Sequence, residues 1–346
     1  MSVTVAVDAN GADLGPAEVA AGAAIAASHG VRVVLFGPAE HFGDVADGIE
    51  VVDAPVSIAK APDPVRASRA TPEASIVLAT RAVADGDADA FVSGGSTGPA
   101  LAAGLFNIKR ATGIHRPALA IPLPVPDDPV TIVDVGANVE VRPEHLVQFG
   151  FMGAALAQVV LGVERPRVGL LSIGEEDSKG TPLVVEAHAA LRDRMAEGGT
   201  FDFIGNVEGN EVTTGKADVI VTDGFTGNIA LKLMEGVSEK MLRAIRDVAG
   251  SSRRAKAGGL LLRPALLEFR EVLDPESAGG AYLLGLRRLG VVPHGRFSRV
   301  GIAQAILLAA RAVEGDVVGR THAALEAASA LRVTPMSGSP STVASP

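Results

Sequence analysis

The chain has 346 residues, 47% hydrophobic and 21% charged, with 40 Gly, 21 Pro and no Cys. This composition excludes a disordered chain, a disulfide scaffold, thiolate catalysis and thiolate-bound metal, and leaves a globular protein whose nucleophiles are oxygen or nitrogen. A formal net charge of −9 repels nucleic-acid phosphates at long range, so no nucleic-acid partner is expected and any anionic ligand needs a local basic patch.

Residues 1–8 read as a first strand rather than a secretory signal. The longest apolar stretch, 149–163, is too short to cross about 30 Å of hydrocarbon, so the cytoplasm is the expected compartment. In chain order the β-rich runs predict strands at Val3–Val7, Val31–Phe36, Glu50–Val52, Ala90–Val92, Ala118–Pro122, Thr131–Val135, Val168–Ile173, Asp202–Ile204 and Val219–Thr222. Helical stretches lie between them near 16–28, 72–85, 99–110, 143–161, 182–197 and 228–249, with two more near 299–313 and 316–331. Unbroken apolar runs such as 33–36 suit strands covered on both faces, and the alternation predicts an α/β fold with a mostly parallel sheet. The chain to residue 333 is expected to form that domain, and the Ser/Pro-rich tail 334–346 to stay disordered.

Five Gly-rich turns follow predicted strands: 8–16 (DANGADLGP), 93–98 (SGGSTG), 134–138 (DVGAN), 174–180 (GEEDSKG) and 223–228 (DGFTGN). In an open parallel sheet such turns gather at one edge, where helix N–H groups and short hydroxyls hold a tetrahedral anion. The candidate binding residues are Asp8, Gly11 and Asp13; Ser93, Ser96, Thr97 and Gly98; Asn138; Glu175 and Glu176; and Asp223, Gly224 and Thr226. The carboxylates repel an anion unless they face a cation or hold Lys179 and backbone amides in place. Residues 93–98 fall one Gly short of a dinucleotide fingerprint, and no P-loop occurs, so no cofactor is expected. Residues 94–98 also match G-x-S-x-G, which makes Ser96 a candidate nucleophile. The seven histidines lack zinc-site spacing, so no metal is expected.

Taken together, DANGADLGP, RASR (66–69), SGGSTG, DVGAN, GEEDSKG, DGFTGN and GGAYLLGLRRLGVVPHG (279–295) resemble the PlsX family of phosphate acyltransferases, in order, from about residue 4 to 312. The resemblance implies a Rossmann-like three-layer α/β/α sandwich, similar to phosphotransacetylases and isocitrate/isopropylmalate dehydrogenases. It implies a homodimeric enzyme that moves a fatty acyl group from acyl carrier protein or acyl-CoA onto inorganic phosphate, for hand-off to a membrane acyltransferase. On that reading phosphate attacks the thioester directly, with Lys179 and Asn228 as the catalytic candidates and Asn138 and the amides near Ser96 orienting phosphate. Loss of Lys179 is then expected to cost at least tenfold in turnover. Asn10, Gly11 and Ala12 stand where the family usually has Met-Gly-Gly, and Ser96 stands where it usually has Asn. The alternatives are a serine hydrolase using Ser96 and a non-catalytic carrier-protein adaptor.

The stretch 251–270 interleaves Arg253, Arg254, Lys256, Arg263 and Arg270 with Leu260, Leu261, Leu262, Leu266, Leu267 and Phe269. That mix suits either an interfacial helix on anionic lipid, which fits a peripheral membrane enzyme, or a dimer interface. Arg66, Arg69, Lys109, Arg110, Arg287 and Arg288 are candidate docking charges for an acidic carrier protein.

Overall fold

A computed structural model describes residues 2–126, 128–196, 199–272 and 275–332; the tail 334–346 lies outside the described residues. The elements in order are β1 (Thr4–Asp8), α1 (Pro16–Ser28), β2 (Arg32–Gly37), β3 (Ile49–Asp53), α2 (Pro64–Ala70), α3 (Ser75–Asp85), β4 (Ala90–Ser93) and α4 (Thr97–Asn107). Then come β5 (Ala118–Leu123), β6 (Val130–Val133), α5 (Pro143–Val160), β7 (Arg167–Ser172), α6 (Pro182–Ala196), β8 (Asp202–Glu208) and β9 (Val219–Val221). Two long helices, α7 (Gly224–Gly250) and α8 (Arg253–Val272), precede β10 (Ala281–Leu284), β11 (Leu289–Val292), α9 (Arg299–Glu314) and α10 (Val317–Ala327).

All nine expected strands are present, and Pro16, Pro143 and Pro182 open their helices, where the missing N–H costs nothing. Three elements were not expected. Helix α2 is short but well started, with Pro64 in its first turn and the Asp63 carboxylate accepting from Arg66 N–H at 3.0 Å. Strands β10 and β11 come from the segment GGAYLLGLRRLGVVPHG.

One 11-stranded sheet runs in the order β3-β2-β1-β4-β11-β10-β5-β6-β9-β7-β8. Seven neighbouring pairs are parallel; β11–β10, β10–β5 and β5–β6 are antiparallel. Two reversals separate β4 from β5, so these run the same way; the third, at the β5–β6 hairpin, turns β6, β9, β7 and β8 against β3, β2, β1, β4, β11 and β5, leaving them aligned with β10. Side chains alternate across the sheet as the pleat requires. Val5 and Val7 join one core with α1, α5, α6, α9 and α10, while Ala6, Phe91 and Leu283 join a second core with α3 and α4. Helices thus cover both faces and make the three layers. Helix α8 packs back on α7. No helix among the described residues is long and apolar enough to cross a membrane.

Candidate active site

The reversal at β5–β6 divides the five Gly-rich turns. Those after β1 and β4 leave one edge of the sheet, and those after β6, β7 and β9 leave the opposite edge, so the expectation of a single shared edge fails. What joins the two edges is a cavity of about 1870 Å³ over the second face of the central strands. Its floor is Leu119, Ile121, Ala281 and Val292, and its far wall is α7 and α8, through Leu231, Met234, Leu266 and Leu267. At one end stand Gly11, Asp13, Lys60 and residues 94–97, with His294 and Arg296 from the loop after β11; at the other stand Val135 and Asn228.

The first end is built by three loops that touch one another. The Asp8 carboxylate, fully buried at the end of β1, accepts from Ser75 Oγ at 2.6 Å, Ser93 Oγ at 2.7 Å and Asn10 N–H at 3.2 Å. Burial pushes its pKa up from 3.8 to about 6, against the pull of those three donors. Ser93 Oγ in turn accepts from Gly95 N–H at 3.3 Å, so Asp8 shapes the 93–98 turn without reaching the cavity. Gly11 has φ +119°, and a Cβ there would come within 2.4 Å of Ala59 Cβ, which is why this position takes Gly. Asn10 Nδ2 donates to Pro55 O at 3.0 Å and fastens the same turn to the loop after β3. Ala12, the next departure from the family pattern, faces Gly94.

Ser96 Oγ donates to Ala59 O. Its hydroxyl proton is directed at a carbonyl and no imidazole bonds to it, which does not suit an activated nucleophile. The N–H groups of Ser96, Thr97 and Gly98 at the start of α4 have no intramolecular acceptor among the described residues, so this helix end is available to an anion.

The second end satisfies itself. Asp223 caps α7, accepting from Phe225 N–H at 3.0 Å, Thr226 N–H at 2.8 Å and Thr226 Oγ1 at 2.7 Å. Gly224 N–H donates to Asn138 O at 2.7 Å, and a Cβ on Gly227 would sit 2.0 Å from Asp134 O, so this turn is locked against 134–138. Asp134 is buried, which raises its pKa, and it accepts from the N–H groups of Leu119, Gly136, Ala137 and Asn138. Asn138 Nδ2 is bonded to Pro117 O at 2.7 Å and Asp134 Oδ2 at 2.8 Å, so its amide has no donor left for phosphate. Asn138, Asp223, Gly224 and Thr226 thus all have polar groups bonded within this pair of turns. Asn228 does line the cavity, with Nδ2 donating to Val135 O at 3.1 Å.

The 174–180 turn does not line the cavity. Asn206 Nδ2 holds it by donating to Glu176 O at 2.8 Å, Ser172 Oγ donates to Lys179 O at 3.0 Å, and Glu175 pairs with Lys216 rather than Lys179. Among the cations that line the cavity, Lys60 at the α4 end and Lys232 on α7 carry no sequence signal, since neither stands in a Gly-rich turn.

One group among the described residues places three metal-type ligand atoms within 4.8 Å of one another: His115, Glu144 and His145. His145 Nδ1 accepts from Arg142 N–H at 3.2 Å, which keeps the neutral ring's proton on Nε2, and Arg110, Arg116, Arg142 and Arg332 surround the pair. With α5 starting there as well, the local field opposes a cation.

Comparison with known proteins agrees with this architecture. Residues 3–320 match the family described as "Fatty acid synthesis protein". Over 321 residues the chain is 42% identical to the phosphate acyltransferase of Nitratidesulfovibrio vulgaris (strain DP4), covering 90% of this chain and 92% of that one. The chain belongs to this family, that of the PlsX acyltransferases. The phosphate acyltransferase of Geobacillus sp. (strain WCH70) is 39% identical over 328 residues, covering 93% of this chain and 98% of the relative. The EutD phosphotransacetylase from Staphylococcus aureus shares the fold, with a TM-score of 0.61 at 18% identity over 90% of this chain and 94% of its own. Membership of the PlsX family makes the chain an enzyme of the acyltransferase class.

Proposed function

We propose that the protein transfers a long fatty acyl group from the thioester of acyl carrier protein or coenzyme A to inorganic phosphate, giving acyl phosphate for phospholipid synthesis. The observation that carries this reading is that one cavity joins an open set of amide donors to an apolar channel. Phosphate belongs at the α4 end, where three N–H groups lack partners among the described residues, and not at α7, whose end is already neutralised by Asp223. The acyl chain belongs along α7, which from Asn228 to Ile245 extends about 26 Å. With phosphate and acyl chain so placed, the thioester carbonyl lies between them, next to the nucleophile, which is the proximity the reaction needs.

The decisive assay is incubation of the purified protein with palmitoyl-CoA, or palmitoylated carrier protein, with and without phosphate. Hydroxylamine-reactive acyl phosphate is expected only with phosphate present. Release of free fatty acid at equal rates in both tubes supports a hydrolase instead, and binding without turnover supports an adaptor. Of the expected carrier-docking charges, Arg69 is engaged elsewhere, over the Phe106 ring at 4.4 Å, and Arg110 bonds to His115 O.

The same reading places the enzyme at the membrane as a dimer. Phe225, Ile229, Met241 and Val248 are exposed on α7 outside the cavity lining, a stripe for a second copy; Leu260, Leu261 and Leu262 are exposed on α8 beside Arg253, Arg254, Lys256 and Arg263, a surface for anionic lipid. The side chains of Phe269 and Arg270 lie outside the description. Leu261→Glu is expected to abolish flotation with phosphatidylglycerol vesicles while leaving the sedimentation coefficient at the wild-type value. Wild-type protein that fails to float removes the lipid surface, and monomeric wild-type protein removes the dimer.

A further inference from the structure

His294 follows β11, outside every turn singled out for anion binding, and its imidazole lines the cavity. Its setting fixes the ring. The ring stacks on Phe297, a buried side chain, with centroids 6.2 Å apart and planes 27° apart. Nδ1 accepts from Arg296 N–H at 3.4 Å, and His294 O accepts from Phe297 N–H at 2.9 Å. A neutral ring whose Nδ1 accepts must carry its proton on Nε2, which has no acceptor among the described residues. Gly295 O accepts from Asp13 N–H at 2.8 Å, which fastens this loop to the turn after β1.

The charges around the ring come from three elements: Asp13 from the turn after β1, Lys232 and Glu235 from α7, and Arg296 from its own loop. Burial, Arg296 and Lys232 lower its pKa, so the ring is neutral at pH 7. His294 shares the α4 end of the cavity with Gly11 and residues 94–97 while Lys232 and Glu235 of α7 face it, so it stands where the phosphate end meets the acyl channel.

We propose that His294 is a catalytic residue whose Nε2–H donates a hydrogen bond to the thioester carbonyl oxygen as that oxygen becomes negative. The inference rests on the acyl-transfer reading above. In the step, a hydrogenphosphate oxygen forms the new O–C bond, the C–S bond breaks, and its electron pair leaves on sulfur. The proton of hydrogenphosphate ends on the departing thiol. His294 keeps its own proton throughout, which is why a neutral imidazole serves here better than a charged one.

The test is acyl phosphate formation from palmitoyl-CoA and phosphate by wild type, His294→Ala and His294→Gln. Removing one such donor typically costs on the order of 100-fold in kcat. His294→Ala is therefore expected to lose about 100-fold in kcat with less than a threefold change in KM for phosphate, and the carboxamide of His294→Gln to recover at least tenfold of that. A kcat for His294→Ala above a third of wild type, a loss confined to KM, or a Gln variant no better than Ala overturns the assignment. Should the variants misfold, imidazole nitrogen NMR of the wild type decides: the Nε2–H resonance is expected to move on adding a palmitoyl thioether with phosphate, and an unmoved resonance overturns it. Wild-type protein that makes no acyl phosphate fails the underlying reading; wild-type protein that makes it alongside an equally active Ala variant fails only His294.

Discussion

Asp8→Asn is expected to stabilise the protein at pH 7.5 by about 2 kcal/mol, to destabilise it at pH 4 by less than about 1 kcal/mol, and to lower turnover by about tenfold. Burial holds this carboxyl near pH 6 in the folded chain instead of 3.8, so folding favours its protonated form. The stability tied to that proton is whole below pH 3.8 and is lost as pH rises through about 6. The difference corresponds to about 3 kcal/mol at neutral pH. Asn stays neutral throughout, and its weaker bonds to the Ser75 and Ser93 hydroxyls offset about 1 kcal/mol. Turnover falls because the Asn amide offers Ser93 a second donor that competes with Gly95 N–H, loosening the 93–98 turn. Urea midpoints at the two pH values check the first claim; an equal gain at both would show that ionisation of Asp8 is not what the folded chain resists.

Lys60→Ala is expected to raise KM for phosphate at least tenfold, and Lys179→Ala to change turnover less than twofold. Lys60 shares the cavity rim with residues 94–97 and has no carboxylate paired to it among the described residues. Its ammonium therefore meets a dianion beside the α4 amides, and a charge-assisted hydrogen bond there is worth about 1.5–3 kcal/mol. Lys179 is exposed on a turn outside the cavity. Steady-state kinetics in phosphate distinguish the two, and a tenfold loss in Lys179→Ala with a normal Lys60→Ala would return the role to the position the motifs favour.

The elements of this fold were legible because its central strands are buried on both faces: runs such as Val33-Val34-Leu35-Phe36 have no other ready explanation. Strands β10 and β11 were not, because AYLL and LGVV are four residues each and flank Arg287 and Arg288, so neither shows a period. Strand direction has no sequence signature at all. That is why five similar turns read as one pocket, whereas three of them lie across the sheet. Within the turns, residue type did not separate binding from support: Asp223 and Asn138 look like ligands yet bond to backbone and to their neighbours Thr226 and Asp134. Lys60 stands in no motif, and His294, though it lies in the 279–295 motif, is not marked there as a ligand; the cavity that reaches both marks them out.

The place of β10 and β11 bears on how the chain is made. They fill the gap between β4 and β5, although almost 160 residues of chain separate them from β5. While the ribosome is still delivering α5 to α8, β4 and β5 each have one side without a neighbour, and the two halves of the sheet are held only by the polypeptide between them. The middle of the sheet thus closes only after most of the chain has emerged, and α9, which follows β11, then covers β1 and β4. A translation pause or truncation before residue 292 leaves two bare strand edges facing solvent, the kind of surface on which nascent chains associate with one another.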